Sequence, residues 1–168
     1  MGDEEHQAGR LTAGTGSPMF SVHIDTALSW RGGQNQVLLT VLGLRTRGHR
    51  TVLVAHPDGE LYRRASGKTD LFPLAVKTEM DLRAAWHLSR LFKSRKPDVI
   101  HAHDAHSIAI AVLARALTRH ANAPPIVASR RVDFHVGRNA FSRLKYRQVD
   151  QFLCASCAIR DMLISDGV

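Results

Sequence analysis

Cysteine is nearly missing from this chain: Cys154 and Cys157 are the only two among 168 residues. A disulfide framework is excluded, and a structural zinc site lacks the two further ligands at matched spacing that a C-x-x-C pair requires. A thioredoxin-type role needs the pair to open a helix early in its unit. Here Cys154 falls at the end of the apolar stretch Gln151 to Ala155, and Cys157 opens the next helical pattern. The pair therefore reads as small buried residues, in keeping with a reducing cytoplasm. Glutamate is equally scarce, with Glu4, Glu5, Glu60 and Glu79 the whole supply. No apolar run approaches the roughly 18 to 20 residues a membrane span needs, so a soluble protein is expected. Residues 1–18 lack the basic start and apolar block of a secretory signal and read as a disordered tail. There is no G-x-G-x-x-G fingerprint, no G-x-x-x-x-G-K-[ST] loop and no nucleophile elbow, which takes support from nicotinamide, P-loop and serine-hydrolase chemistry.

What the chain has in excess is positive charge: 23 Lys and Arg against 15 Asp and Glu, a formal net charge of +8. A basic surface suits phosphates, acidic sugars or anionic lipid, and nucleic acid is not among the expected partners. The excess is concentrated where Arg130, Arg131, Arg138, Arg143, Lys145 and Arg147 face the single acid Asp133. A solvated helix face explains Arg143 and Arg147 equally well.

Six short apolar runs alternate with helical patterns: 20–24, 51–55, 71–76, 99–102, 126–129 and 151–155. That alternation predicts an α/β protein, a Rossmann-like doubly wound parallel sheet of about six strands with helices on both faces. Residues 34–47 carry Val37, Leu38, Val41, Leu42 and Leu44 on one face and stop at Gly48, a helix terminator. A short helix spans 60–65, and a third follows the capping-box-like Thr78-Glu79-Met80-Asp81, with Leu82, Ala85, Trp86 and Phe92 at core spacing. The expected strand order 3-2-1-4-5-6 puts the switch point between the ends of the first and fourth strands, where such sheets bind ligands.

Three loops should line that crevice. After the first strand, Gly32 and Gly33 stand just ahead of a helix start with Gln34 behind them, where free amide groups attract phosphate, although a simple turn explains a Gly-Gly pair about as well. His101 stands inside the fourth strand, and His103, Asp104 and His106 follow at its end. They mimic a metal site, but His101 reads as a core histidine pointing into the sheet packing, and no metal is assigned. His103 and Asp104 are expected to hydrogen-bond loop backbone or a ligand hydroxyl. After the fifth strand, Arg130 and Arg131 can grip phosphate or carboxylate in paired hydrogen bonds, with an Arg131–Asp133 ion pair as the structural reading, and His135 lies just beyond.

With these pieces in place, the chain resembles the N-terminal domain of a GT-B retaining glycosyltransferase of the group 1, subfamily 4-like family. The resemblance covers about residues 19–168. It rests on Ser29 to Gln36, Gly48-His49, Asp98 to Asp104, Ser142 to Tyr146 and Cys154 to Arg160. It implies an acceptor-side domain holding a sugar acceptor, a nucleotide-sugar as co-substrate gripped by a C-terminal donor domain absent here, no other cofactor, and little or no activity alone. The glycine loop of such enzymes, here Gly32 and Gly33, lies against the donor phosphates and acceptor. Their histidine after the fifth strand is replaced by Arg130 or Arg131, so His103 and Arg131 are the candidates for the key contacts. A free-standing module binding a phosphate or nucleotide ligand, or a subunit of a split transferase, is the competing reading. The stretch 139–149, with Phe141, Leu144 and Tyr146 among basic residues, offers peripheral contact with an anionic membrane, docking to the sheet being the plainer reading.

Overall fold

The computed structural model describes residues 17–118, 123–131, 135 and 140–168. The expected tail up to residue 16, the basic Arg138, and Asp133 with its pairing to Arg131 lie outside the described residues. Six parallel strands form one sheet: β1 (Phe20–Asp25), β2 (Arg50–Ala55), β3 (Asp70–Pro73), β4 (Val99–Ala102), β5 (Ile126–Arg130) and β6 (Gln151–Cys154). Their order is β3-β2-β1-β4-β5-β6, as the alternation of elements predicts. The helices between and after them are α1 (Gly32–Thr46), α2 (Glu60–Ala65), α3 (Leu82–Arg95), α4 (Ala105–Thr118), α5 (Ala140–Arg147) and α6 (Cys157–Ser165).

Strand alternation divides the sheet into two unlike faces. Val22, Ile24, Val54, Ile100 and Ile126 point to one side, where Leu88, Leu91 and Phe92 of α3 and Ile110 and Ala114 of α4 cover them. α5 and α6 close the same side through Tyr146 and Leu163, packed with Ala102, Ile108 and Ala128. The other side is covered by α1 and α2, whose Val37, Val41, Leu61 and Ala65 meet Leu53 and Ala55 of β2. The intervening residues of β1 are all polar, Ser21, His23 and Asp25, and β4 and β5 add His101 and Ser129 beside Val99 and Val127. The sheet thus has an apolar face along its whole width and a polar row on the half of the other face that lies beyond β1.

Several local expectations are corrected. β3 stops at Pro73 rather than residue 76, because its partner β2 ends at Ala55, which stands opposite Pro73 in the register. α1 begins at Gly32, so the paired glycines form its first turn instead of preceding it. Its end at Gly48 is as expected, with φ of 84° in the left-handed region. α3 is capped by Asp81 alone, whose carboxylate accepts the Ala84 N–H at 2.9 Å and the Lys77 N–H at 3.1 Å. Its buried stripe runs through Ala84, Ala85, Leu88, Leu91 and Phe92, which turns Trp86 outward to 48 % exposure. Cys157 is exposed and Cys154 only partly buried, because the core side of α6 is taken by Ile159 and Leu163.

One contact fixes the β1–α1 loop from outside. A Cβ at Gly59, which precedes α2, would stand 3.0 Å from the carbonyl oxygens of both Ala27 and His56, so only glycine fits beside that loop. The Arg64 guanidinium of α2 lies 4.2 Å from the centre of the Trp30 ring and clamps the same loop.

Leu88 is fully buried where α3 meets the sheet. Leu88→Ala is expected to lower stability by about 2–5 kcal/mol through the cavity it leaves, measured by denaturant unfolding. A change within experimental error would show that α3 is not seated on this core.

Candidate functional site

β4 adds beside β1 in parallel, with Ser21 opposite Val99 and Ile24 opposite Ala102, so the loops leaving β1 and β4 diverge to opposite faces. The opening between them is pinned by Asp104. Its carboxylate accepts the Thr26 N–H from the β1 loop and the Ser107 N–H of α4, each at 2.8 Å. Asp104 therefore caps α4 and ties it to β1 at once. Across the opening, Gln34 reaches back from α1. Its Oε1 accepts the Arg31 N–H at 3.1 Å and its Nε2 donates to Asp25 Oδ2 at 3.1 Å. Asp25 also accepts the Ala27 N–H at 3.1 Å.

From β5, Arg131 turns toward both groups. Its Nη2 donates to His103 Nδ1 at 3.0 Å, and a Cβ built on Gly33 would lie 3.6 Å from its Nη1. A guanidinium only donates, so His103 Nδ1 must accept, and the neutral ring carries its proton on Nε2. That Nε2–H donates to His23 Nδ1 at 3.1 Å, which puts the His23 proton on Nε2, facing Ser21 Oγ at 3.0 Å. One end of the chain Arg131–His103–His23–Ser21 thus dictates both imidazole tautomers. His101 lies against His103 with the rings tilted by 31° and their centres 4.0 Å apart, and it bonds Ser129 Oγ at 2.8 Å.

Six of the residues expected from the sequence line one open cleft of about 370 Å³: Gly33, Gln34, His103, Asp104, Arg130 and Arg131. Arg31 joins them. Gly32 sits at the same helix start, one residue outside that lining. His135 is exposed and bonds Asp166 at 2.8 Å, away from these groups. His106, considered with the histidines, is exposed. His101 is half-buried and bonded to Ser129 rather than sunk in the apolar packing.

His23 is the member the sequence reading passed over. The signal was present: Ser21, His23 and Asp25 alternate with Phe20, Val22 and Ile24, which sets a polar row opposite an apolar one. One nitrogen from each of His23, His101 and His103 lies within 4.8 Å of the others. As arranged, His103 gives both nitrogens to Arg131 and His23, and a guanidinium stands against the cluster, so the rings form a hydrogen-bonded relay.

Burial decides the charge state of this row. It pushes His23 down to about 3, with the His101 charge adding to the effect, and His101 down to about 4, helped by Arg131. His103 lies well below its ordinary value, again chiefly by burial. Asp25 is pushed up to about 6 by burial and then by the Asp104 charge, against the pull of its hydrogen bonds to Ala27 and Gln34. At neutral pH the imidazoles are neutral and engaged with one another, Ser21 and Ser129, while the cleft presents the Arg131 guanidinium and the first-turn N–H groups of α1, which have no partner in the preceding turn of that helix. Those are donors for an anion.

Residues 30–168 match the family described as Glycosyltransferase Family 4, and the chain belongs to that family. No curated protein matches it in sequence. Among solved structures, a glycosyltransferase from Rickettsia africae is 13 % identical, covering 88 % of this chain and 39 % of its own, with a TM-score of 0.71. Anabaena HepE in complex with UDP-glucose is 12 % identical, covering 89 % and 41 %, with a TM-score of 0.67. A Listeria monocytogenes protein described as a UDP-N-acetylglucosamine 2-epimerase is 12 % identical, covering 90 % and 43 %, with a TM-score of 0.62. The chain spans about two-fifths of the length of these structures, and their likeness establishes the Rossmann-like fold.

The pH dependence of stability follows from the imidazoles. In the unfolded chain they titrate near 6.5, while His23 and His101 in the fold titrate near 3 and 4. The unfolded state therefore takes up protons first, so the fold loses stability as the pH falls from 6.5 toward 3. Asp25 has the opposite sign: raised from 3.8 to about 6, it favours the fold below 3.8 and loses that contribution as the pH rises through 6. The thermal midpoint is expected to drop below pH 6.5, and His23→Gln to flatten the drop, read by circular dichroism. An acid limb unchanged by His23→Gln would contradict a buried, neutral His23.

Proposed function

We propose that this domain is the acceptor-side half of a nucleotide-sugar-dependent glycosyltransferase. In this reading its cleft meets the diphosphate of the donor and the incoming acceptor while a second domain grips the nucleotide. The observation that carries the reading is the approach of Arg131 to Gly33: a cation from β5 and the amide dipoles of α1 converge on one open cleft at the switch point. Membership of Glycosyltransferase Family 4 supports it, as does the fold shared with HepE, whose structure holds UDP-glucose.

The chemistry asks for these groups. Glycosyl transfer breaks the bond between the anomeric carbon and the donor phosphate oxygen and forms one to the acceptor oxygen, whose proton is lost to the departing diphosphate. The sugar passes through an oxocarbenium-like state, and the departing nucleoside diphosphate gains charge. Fixed donors aimed at that oxygen stabilise it without reorganising. Arg131 is the donor we assign to the ligand. His103 holds Arg131 in place through its Nδ1, and Gly33 leaves the room the ligand needs. The transfer calls for no metal, and closure of the second domain would exclude water.

The test uses protein made from the whole reading frame, incubated with a panel of nucleotide-sugars and assayed for nucleoside diphosphate release. Arg131→Ala should reduce transfer by about 10²–10³-fold. Gly33→Val should abolish it with folding retained, because the backbone there is ordinary helix and the branched atoms would extend past the 3.6 Å at which a Cβ already meets Arg131; Gly33→Ala, placed at that contact distance, should be milder. Unchanged turnover in Gly33→Val removes the glycine turn from the site. Binding of nucleotide-sugar with no transfer to any acceptor would favour a binding module.

A further inference from the structure

α3, α4 and α5 lie side by side on one face of the sheet, so their outward sides make one surface. None of the three contains an Asp or Glu. Two of their cations are committed to acids elsewhere, Arg115 to Asp150 at 2.5 Å and Lys145 to Glu79 at 2.8 Å. Arg83, Arg90 and Lys93 of α3 and Arg143 and Arg147 of α5 face solvent. Large apolar side chains are set among them: Leu82 is 62 % exposed, Trp86 48 %, Leu144 60 % and Leu117 39 %. The outward side of a soluble helix ordinarily mixes both signs of charge and excludes such groups. Arg90 stacks on the Trp86 ring, 5.1 Å from its centre, so the patch offers an aromatic plate edged with positive charge.

We propose that this three-helix layer is a docking surface for an anionic phospholipid membrane. Its cations would sit among the headgroups, and Leu82, Trp86 and Leu144 at the boundary with the acyl chains. A second copy of the chain would bring like charges together. Nucleic acid would meet the cations but leave the leucines and the tryptophan without an apolar phase. The sequence pointed to residues 139–149 alone, and the fold makes α5, in the described part of that stretch, one edge of a wider surface that runs across α4 to α3. The proposal holds or fails independently of the transferase reading. If both hold, a lipid-borne acceptor would enter beside the N-terminus of α4, where Lys145 donates to the Ala105 carbonyl at 3.4 Å and Ala105 lines the cleft.

The test floats the 168-residue chain with vesicles of phosphatidylcholine alone and with vesicles that also contain phosphatidylglycerol. Flotation with the anionic vesicles only is expected, together with a blue shift of tryptophan emission in a Trp30→Phe background. The pair Leu82→Ser and Trp86→Ser should weaken binding about tenfold, as should Arg83→Ser with Arg90→Ser. Leu39→Ser, exposed on α1 across the sheet, should leave binding unchanged. The side chains substituted on α1 and α3 are solvent-facing, and circular dichroism checks that each variant folds, Trp30→Phe included. Failure to float with anionic vesicles overturns the proposal. So does equal flotation with neutral vesicles, indifference to the Leu82 and Trp86 changes, or duplex DNA displacing the vesicles with no effect of those two changes.

Discussion

The pairing of β4 with β1 is the constraint on which the rest depends. Because β2 adds on one side of β1 and β4 on the other, the chain leaves these strands toward opposite faces, and a gap opens that none of the described helices fills. The Asp104 carboxylate holds that gap at a fixed width by taking one N–H from each side. With the seam set, strand register brings His101 level with His23 and sets His103 two residues further along the same face, where it bonds both His23 and Arg131.

The cleft is built on a trade between two halves of one sheet face. Over β2 and β3 that face is apolar and covered by α1 and α2, while over β1, β4 and β5 it carries hydroxyls, imidazoles and a carboxylate. Burying such groups is tolerable because each finds a partner, and the histidines stay neutral. Gln34 is the clearest case: lining the cleft, it uses both ends of its amide to join Asp25 to the backbone at Arg31.

Much of this was readable beforehand. Strand order and the convergence of the glycine turn with the arginine pair followed from the spacing of apolar runs and from Gly32-Gly33 and Arg130-Arg131 as they stand in the chain. What escaped was set by tertiary contact. Whether Trp86 faces in or out hangs on a one-residue rotation of α3 that a sparse apolar pattern cannot fix. That His23 touches His103 depends on a pairing between residues 80 apart in sequence. The grouping of α3, α4 and α5 into one acid-free layer required knowing which side of the sheet each crossover takes.

The relay beneath Arg131 has a direction, and that direction is written at its solvent end. A guanidinium can only give hydrogens, so both rings below it point their own hydrogens inward, down to Ser21 at the foot of β1. Put an acceptor in its place and each ring must turn its polarity over to keep the chain unbroken. An exchange of one side chain at the rim is thereby spelled out again in the deepest layer of the sheet.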